Sequence, residues 1–291
     1  MTHSDTVVFR NVMIPMRDGT KLSTDLFFPS FDGKSPAPGK FPVLMSRTWY
    51  NKAENGIPPL PDFLATNGYV VAIQDVRGRY ASPGKDMPWL NDGLGQNQDG
   101  YDTAAWLERQ PWSTGKLGIF GNSYLGGSAW GAVISQPPSL AVAVIDEPAS
   151  DNYQNMVYLN GALMLHTAGG WTWGAVMGSS ALTDAQRASL AKIHEQGADP
   201  RTMKTSAVAS GFGWANIDFF KHLPLREMPL NKDEPWWEMW MDAWEKPWVF
   251  DFTSTFDRLH EVKAPILHRA GWYSLFLPAT LAQYKGASTR P

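Results

Sequence analysis

Short apolar runs punctuate the first half of the chain at Phe41 to Ser46, Tyr69 to Ile73, Lys116 to Phe120 and Ala141 to Ile145, with helical stretches between them. Runs of this length fit strands buried on both faces, as in a parallel sheet covered by helices. Pro61 to Asn67 reads as a helix stopped by Gly68. Tyr101 to Arg109 reads as a helix that Asp99 or Asp102 can cap, and Tyr124 to Ser135 as a helix of small residues. Strand, helix and strand in alternation predict a doubly wound, mostly parallel α/β sheet. Ahead of it, Thr6 to Phe9 and Leu22 to Phe28 alternate around the turn Arg17-Asp18-Gly19-Thr20 and predict an antiparallel hairpin.

The pattern changes after about residue 150. From Ser150 to His260 the β-type runs vanish and the chain turns helical, aromatic and loop-rich. Within that stretch Thr183-Asp184-Ala185-Gln186 has the form of a capping box. Ala264 to His268 then returns to a strand pattern, and Pro278 to Tyr284 to a helix with Gly286 expected just past its end. The expected organisation is a sheet domain over residues 1–150 and 261–291, interrupted by a helical cap over residues 151–260.

Composition narrows the function. A net charge of −3, with 25 basic against 28 acidic residues, offers no surface for a phosphate backbone or an anionic membrane. The absence of cysteine removes a disulfide framework, a thiolate metal site and a thiol nucleophile. No basic-then-apolar leader and no apolar stretch of membrane-spanning length stands out, so a soluble cytoplasmic protein is the expectation. The 14 tryptophans supply large apolar area, either as core or as lining of a site for apolar ligands.

Gly121-Asn122-Ser123-Tyr124-Leu125-Gly126 lies between an apolar strand and a small-residue helix, the setting of a nucleophile elbow, with one residue more before the last glycine than the common G-x-S-x-G. A turn this sharp forces the serine into a strained backbone region, which glycines on either side accommodate. The Ser123 hydroxyl then stands above the sheet, and the Tyr124 amide, at a helix N-terminus, is half of an oxyanion hole.

Together with Arg17-Asp18-Gly19, Arg47-Thr48-Trp49-Tyr50-Asn51-Lys52, Gln74-Asp75-Val76-Arg77-Gly78-Arg79, Gln98-Asp99-Gly100-Tyr101-Asp102, Gln110-Pro111-Trp112-Ser113 and Ala270-Gly271-Trp272-Tyr273, this segment resembles the cocaine-esterase and X-prolyl dipeptidyl peptidase group, the CocE/NonD hydrolases. The resemblance implies an α/β-hydrolase fold with a helical cap, and in this chain the last sheet strands and a C-terminal β-sandwich would be absent. It assigns the second oxyanion donor to the Tyr50 hydroxyl. It also places Trp49, where the family usually has proline, at the mouth of the site. Asp75 and Arg77 match the family and read as structural.

Leu125 occupies the place where the related α-amino-acid ester hydrolases carry an acidic residue for a substrate ammonium, which favours apolar acyl groups. Trp171 and Trp173, with Trp236, Trp237 and Trp240, are candidates to line an acyl site. The family's catalytic acid follows Gly-Trp-Tyr, where this chain has Ser274, and all six histidines, His3, His166, His194, His222, His260 and His268, precede it. Asp146 and Glu147 are alternative acids or plain loop carboxylates. The expectation is therefore a serine hydrolase for small esters or short peptides that is truncated and crippled. The rival readings are an X-Pro dipeptidyl peptidase and a non-catalytic binding remnant. Neither the motifs nor the family implies a metal or cofactor, and the oligomeric state stays open.

Overall fold

The computed structural model describes residues 5–53, 60–148, 156–159, 161–165, 168, 222–228, 232, 235–243, 245–246 and 255–288. Strands β1 (Asp5–Pro15) and β2 (Lys21–Ser30) form the expected hairpin, with Val7 opposite Phe28 and Ile14 opposite Leu22. Its register shifts between Phe9 and Val12, where Asn11 takes φ 55°. Asp25 holds that bulge by accepting the Asn11 amide and the Arg10 guanidinium.

Strands β3 (Phe41–Thr48), β4 (Val70–Asp75), β5 (Ser113–Asn122) and β6 (Leu140–Asp146) follow the apolar runs. A two-stranded ribbon of β7 (Tyr158–Leu159) and β8 (Ala162–Leu163) precedes β9 (Ile266–Arg269). Residues 151–260 are thus not wholly without strand, because Tyr158 and Leu163 pair across that ribbon. Among the described residues the main sheet runs β1-β2-β4-β3-β5-β6-β9, antiparallel on both sides of β2 and parallel from β4 to β9.

Helices α1 (Leu60–Thr66), α2 (Asp99–Glu108) and α3 (Tyr124–Ile134) cover the two faces, and α4 (Pro235–Asp242) and α5 (Leu277–Ser288) come later. Side chains alternate across a strand. Val70 and Ala72 of β4 therefore join Val43, Met45, Leu117 and Ile119 in the core shared with α2 and α3, whereas Val71 and Ile73 pack with Ala65 of α1. The order in the sheet brings the carboxyl ends of β3, β5 and β6 side by side, which is where open α/β sheets hold ligands.

Two local expectations are corrected. Asp99 and Asp102 do not cap α2: both lie in its first turn, the N-cap is Gln98, and no side chain makes the cap bond. Their carboxylates are taken by guanidiniums from elsewhere in the chain, Asp99 by Arg77 and Asp102 by Arg17. Charge-assisted forks of this kind are stronger than a neutral cap bond. Gly286 lies inside α5 rather than beyond it. A Cβ there would come 2.7 Å from Leu259 Cδ1, so the glycine lets α5 approach the 3₁₀ turn Phe256–Glu261. The Thr183 capping box lies outside the described residues.

Candidate active site

Ser123 joins β5 directly to α3 and has φ 56° and ψ −120°, the strained conformation expected of an elbow. Two close approaches impose it. A Cβ on Gly121 would sit 2.1 Å from the Leu125 carbonyl oxygen, and one on Gly126 would sit 3.0 Å from the Asp146 carbonyl oxygen. The Ser123 amide donates to that same Asp146 carbonyl at 3.0 Å, which ties the elbow to the end of β6. The half-buried serine is then the residue before the first turn of α3, where the Tyr124 amide lies at the positive end of the helix.

Tyr50 follows β3 and is 37% exposed, with its ring 6.0 Å from that of Tyr124 and at 71° to it. It thus stands beside the residue that follows the nucleophile. Its loop is pinned on both flanks. The Tyr50 amide donates to Thr48 Oγ1 at 3.0 Å, and Lys52 donates its amide at 2.7 Å and its ammonium at 3.0 Å to Asp75. Asp75 is therefore structural, as is Arg77, whose guanidinium bridges Asp99, Asp18 and Thr20.

Trp49 is fully buried, not at a mouth. It stacks on Tyr124 at 5.4 Å and 14°, and Trp89 packs on the same ring at 4.6 Å. Trp236 and Trp240 of α4 join this aromatic cluster, and Trp171 and Trp173 lie outside the described residues. Burial removes Tyr124's phenol from any acid–base part at neutral pH by pushing it well above its ordinary value, so only its backbone remains a candidate. Leu125, half-buried, lines a groove of about 290 Å³ along the sheet with Leu44, Phe120, Val144 and Asp146.

Asp146 and Glu147 are not spare acids. Asp146 pairs with Arg269, and Glu147 accepts the Gly271 amide at 2.8 Å, so together they tether the segment after β9. Ser274 in that segment accepts the Phe276 amide at 3.2 Å, at the start of α5. His268 lies on β9 between Trp130 and Tyr284, with Nδ1 buried and without a hydrogen-bond partner, and burial lowers its pKa. No histidine among the described residues is hydrogen-bonded to Ser123.

The profile of the X-Pro dipeptidyl-peptidase family (S15 family) matches residues 18–291. The chain belongs to the S15 family. Cocaine esterase of Rhodococcus sp. (strain MB1 Bresler) is 32% identical over 95% of this chain and 46% of its own length. The S15 chain thus spans less than half of that relative. Its fold is shared by a selenomethionine-labelled α-amino acid ester hydrolase, with TM-score 0.62 and 22% identity over 98% of this chain and 47% of that one. An aminopeptidase from the marine sediment archaeon Thaumarchaeota archaeon has TM-score 0.58 and 22% identity over 94% and 46% of the respective chains.

Sequence reasoning missed the charged layer beneath this S15 site. Asp92 pairs with Arg47 of β3 and accepts Ser128 Oγ of α3 at 2.9 Å, and burial pushes its carboxyl up against the opposing pull of Arg47. A Cβ on Gly93 would overlap the Gly131 carbonyl at 1.5 Å, so this loop can lie directly on α3. Asp86 accepts Trp49 Nε1 at 3.0 Å on each oxygen, and burial raises its pKa to about 6. The tryptophan at position 49 was the available signal, since an indole N–H that is buried needs an acceptor.

Asp86 makes stability depend on pH. Its folded-state value lies above the unfolded 3.8, so its contribution is full below about pH 4 and is lost as pH rises through about 6. Relative to Asp86→Asn, the parent chain is expected to gain about 1 kcal/mol on moving from pH 7.5 to 5. Paired thermal or urea melts at the two pH values check this, and an equal gap at both would remove the assignment.

Proposed function

We propose that Ser123 is the nucleophile of a serine hydrolase that cleaves carboxylic esters with apolar acyl groups through an acyl-enzyme. The Tyr124 amide and the Tyr50 hydroxyl are the donors to the oxyanion. The observation that carries this reading is the strained Ser123 at the β5–α3 junction, enforced by the close approaches at Gly121 and Gly126. A backbone held off its preferred region is costly and persists where the surroundings over-determine it.

In the reaction the serine oxygen attacks the ester carbonyl carbon and its proton passes to a general base. The carbonyl oxygen takes up negative charge between the two donors, the alcohol leaves, and water then releases the acid. Tyr50 is suited to its part because a neutral phenol is a good donor well below its usual pKa near 10. The apolar Leu125, which lines the groove along the sheet, favours an apolar acyl group over a free α-amine.

Tyr50→Phe, made in a chain extended with the C-terminal part of cocaine esterase and carrying Ser274→Asp, tests the oxyanion assignment. It is expected to lower kcat by about 10²–10³ with KM little changed, the usual cost of losing one such donor. An unchanged kcat on p-nitrophenyl butyrate would return Tyr50 to a packing role. An X-Pro p-nitroanilide assayed in parallel separates ester from dipeptidyl-peptidase chemistry. Retention of ligand without turnover of either substrate would favour a binding protein.

A further inference from the structure

The structure surrounds Trp49 with a dedicated set of partners. Asp86 accepts the indole N–H from one edge. Arg79 lies over the ring face, 4.2 Å from its centroid, donates Nε to the Trp49 carbonyl at 3.2 Å, and reaches Asp86 at 3.4 Å. Trp49, Arg79 and Asp86 are at most 6% exposed. Gly78 makes the arrangement possible: it has φ +76°, and a Cβ there would meet the Asp86 amide nitrogen at 2.3 Å.

The indole is also stacked on Tyr124, the residue that follows the nucleophile, and the residue after Trp49 is Tyr50. One rigid ring therefore links the elbow to the loop that carries the second oxyanion donor. Its orientation is fixed on one edge by a carboxylate. We propose that Asp86, acting through Trp49, is a positioning residue that sets the Tyr50 hydroxyl against Ser123.

This inference rests on the proposed roles of Ser123 and Tyr50. Asp86 touches no reacting atom, and its effect is predicted to pass through Tyr50 alone. Misplacing a catalytic group by about 1 Å can cost about 10²-fold in rate. Asp86→Asn still accepts the indole N–H but loses the charge that pairs with Arg79, and Trp49→Phe keeps the ring and removes the donor. Both leave a folded core more readily than Asp86→Ala, which strands Arg79 without its partner.

The experiment is phosphonylation of Ser123 by an activated fluorophosphonate in a chain extended with the C-terminal part of cocaine esterase and carrying Ser274→Asp, so that a base and its acid are supplied. This extended chain is the parent, and the reaction is read by intact mass, so that no deacylation step is needed. The maximal rate and the half-saturating concentration are measured for the parent, Trp49→Phe, Asp86→Asn, Tyr50→Phe and the double variant Tyr50→Phe/Asp86→Asn. Expected are a fall of about tenfold in maximal rate for Trp49→Phe and Asp86→Asn, half-saturation within about twofold, and no further fall when Asp86→Asn is added to Tyr50→Phe. An equal fall from Asp86→Asn in both backgrounds would overturn the inference and leave the Tyr50 reading standing. No effect of Tyr50→Phe, or no labelling of the parent, would overturn the corresponding role and this inference with it.

Discussion

Replacing Ser123 with alanine is expected to leave the chain extended with the C-terminal part of cocaine esterase and carrying Ser274→Asp entirely unlabelled by a fluorophosphonate that adds one phosphonyl group to the version with Ser123. In versions that turn over esters, the loss should approach the factor of about 10⁶ in kcat seen when a serine nucleophile is removed. The reason is geometric. Ser123 is set at φ 56° between β5 and α3, with its amide spent on the Asp146 carbonyl and the Tyr124 amide next in line at the helix end. Ser128, five residues on, is buried and bonded to Asp92, so it cannot substitute. Full labelling of the alanine variant would show that another hydroxyl reacts.

A second large effect is expected at position 274. An imidazole base needs an acidic partner to hold its tautomer and stabilise its charged form, and loss of that partner costs about 10⁴ in kcat. Ser274 supplies a hydroxyl at the place after Gly-Trp-Tyr where the resemblance in sequence puts the acid. Its present bond, accepting the Phe276 amide, is one that aspartate makes equally well. The segment around it is already anchored by Arg269 on Asp146 and Gly271 on Glu147.

The comparison is between two chains extended with the C-terminal part of cocaine esterase, one retaining Ser274 and the other carrying Ser274→Asp. The aspartate version should hydrolyse p-nitrophenyl butyrate faster by about 10³–10⁴, and the 291-residue chain alone should be slower than either. Equal rates in the two extended chains would mean that some other carboxylate serves the base. Turnover of about 1–10³ s⁻¹ by the 291-residue chain would mean that one of its own histidines does.

The core of the fold was legible because its strands carry their signal locally. Phe41 to Ser46 and Tyr69 to Ile73 are apolar on both faces and became β3 and β4. The elbow was legible for the same reason, as strand, serine and helix are contiguous. The crossover that sets β4 between β2 and β3 has no local marker, since it depends on which apolar faces find one another.

Charged partners were the least legible part. Asp99 and Asp102 have the right offset for a cap, but Arg77 and Arg17 reach them through the fold. Trp49 looked like a rim residue because the family resemblance put it at the mouth of the site. Its burial is decided by Arg79 and Asp86, some thirty to forty residues later in the chain. Gly286 had the look of a helix stop, but its lack of a side chain serves Leu259 instead.

The stacked indoles have a spectroscopic consequence. Trp89 and Trp240 lie 6.4 Å apart and nearly parallel at 15°, and Trp236 and Trp240 are 4.9 Å apart at 51°. Transition dipoles this close and fixed in mutual angle couple as excitons, which gives circular dichroism signals of opposite sign that isolated indoles lack. Because Trp89 belongs to the loop before α2 and Trp240 to α4, that signal reports the docking of two distant stretches of chain. It should fade when they separate, while the far-ultraviolet spectrum of the sheet persists. The molecule thus contains an optical gauge of that docking, readable without any added label.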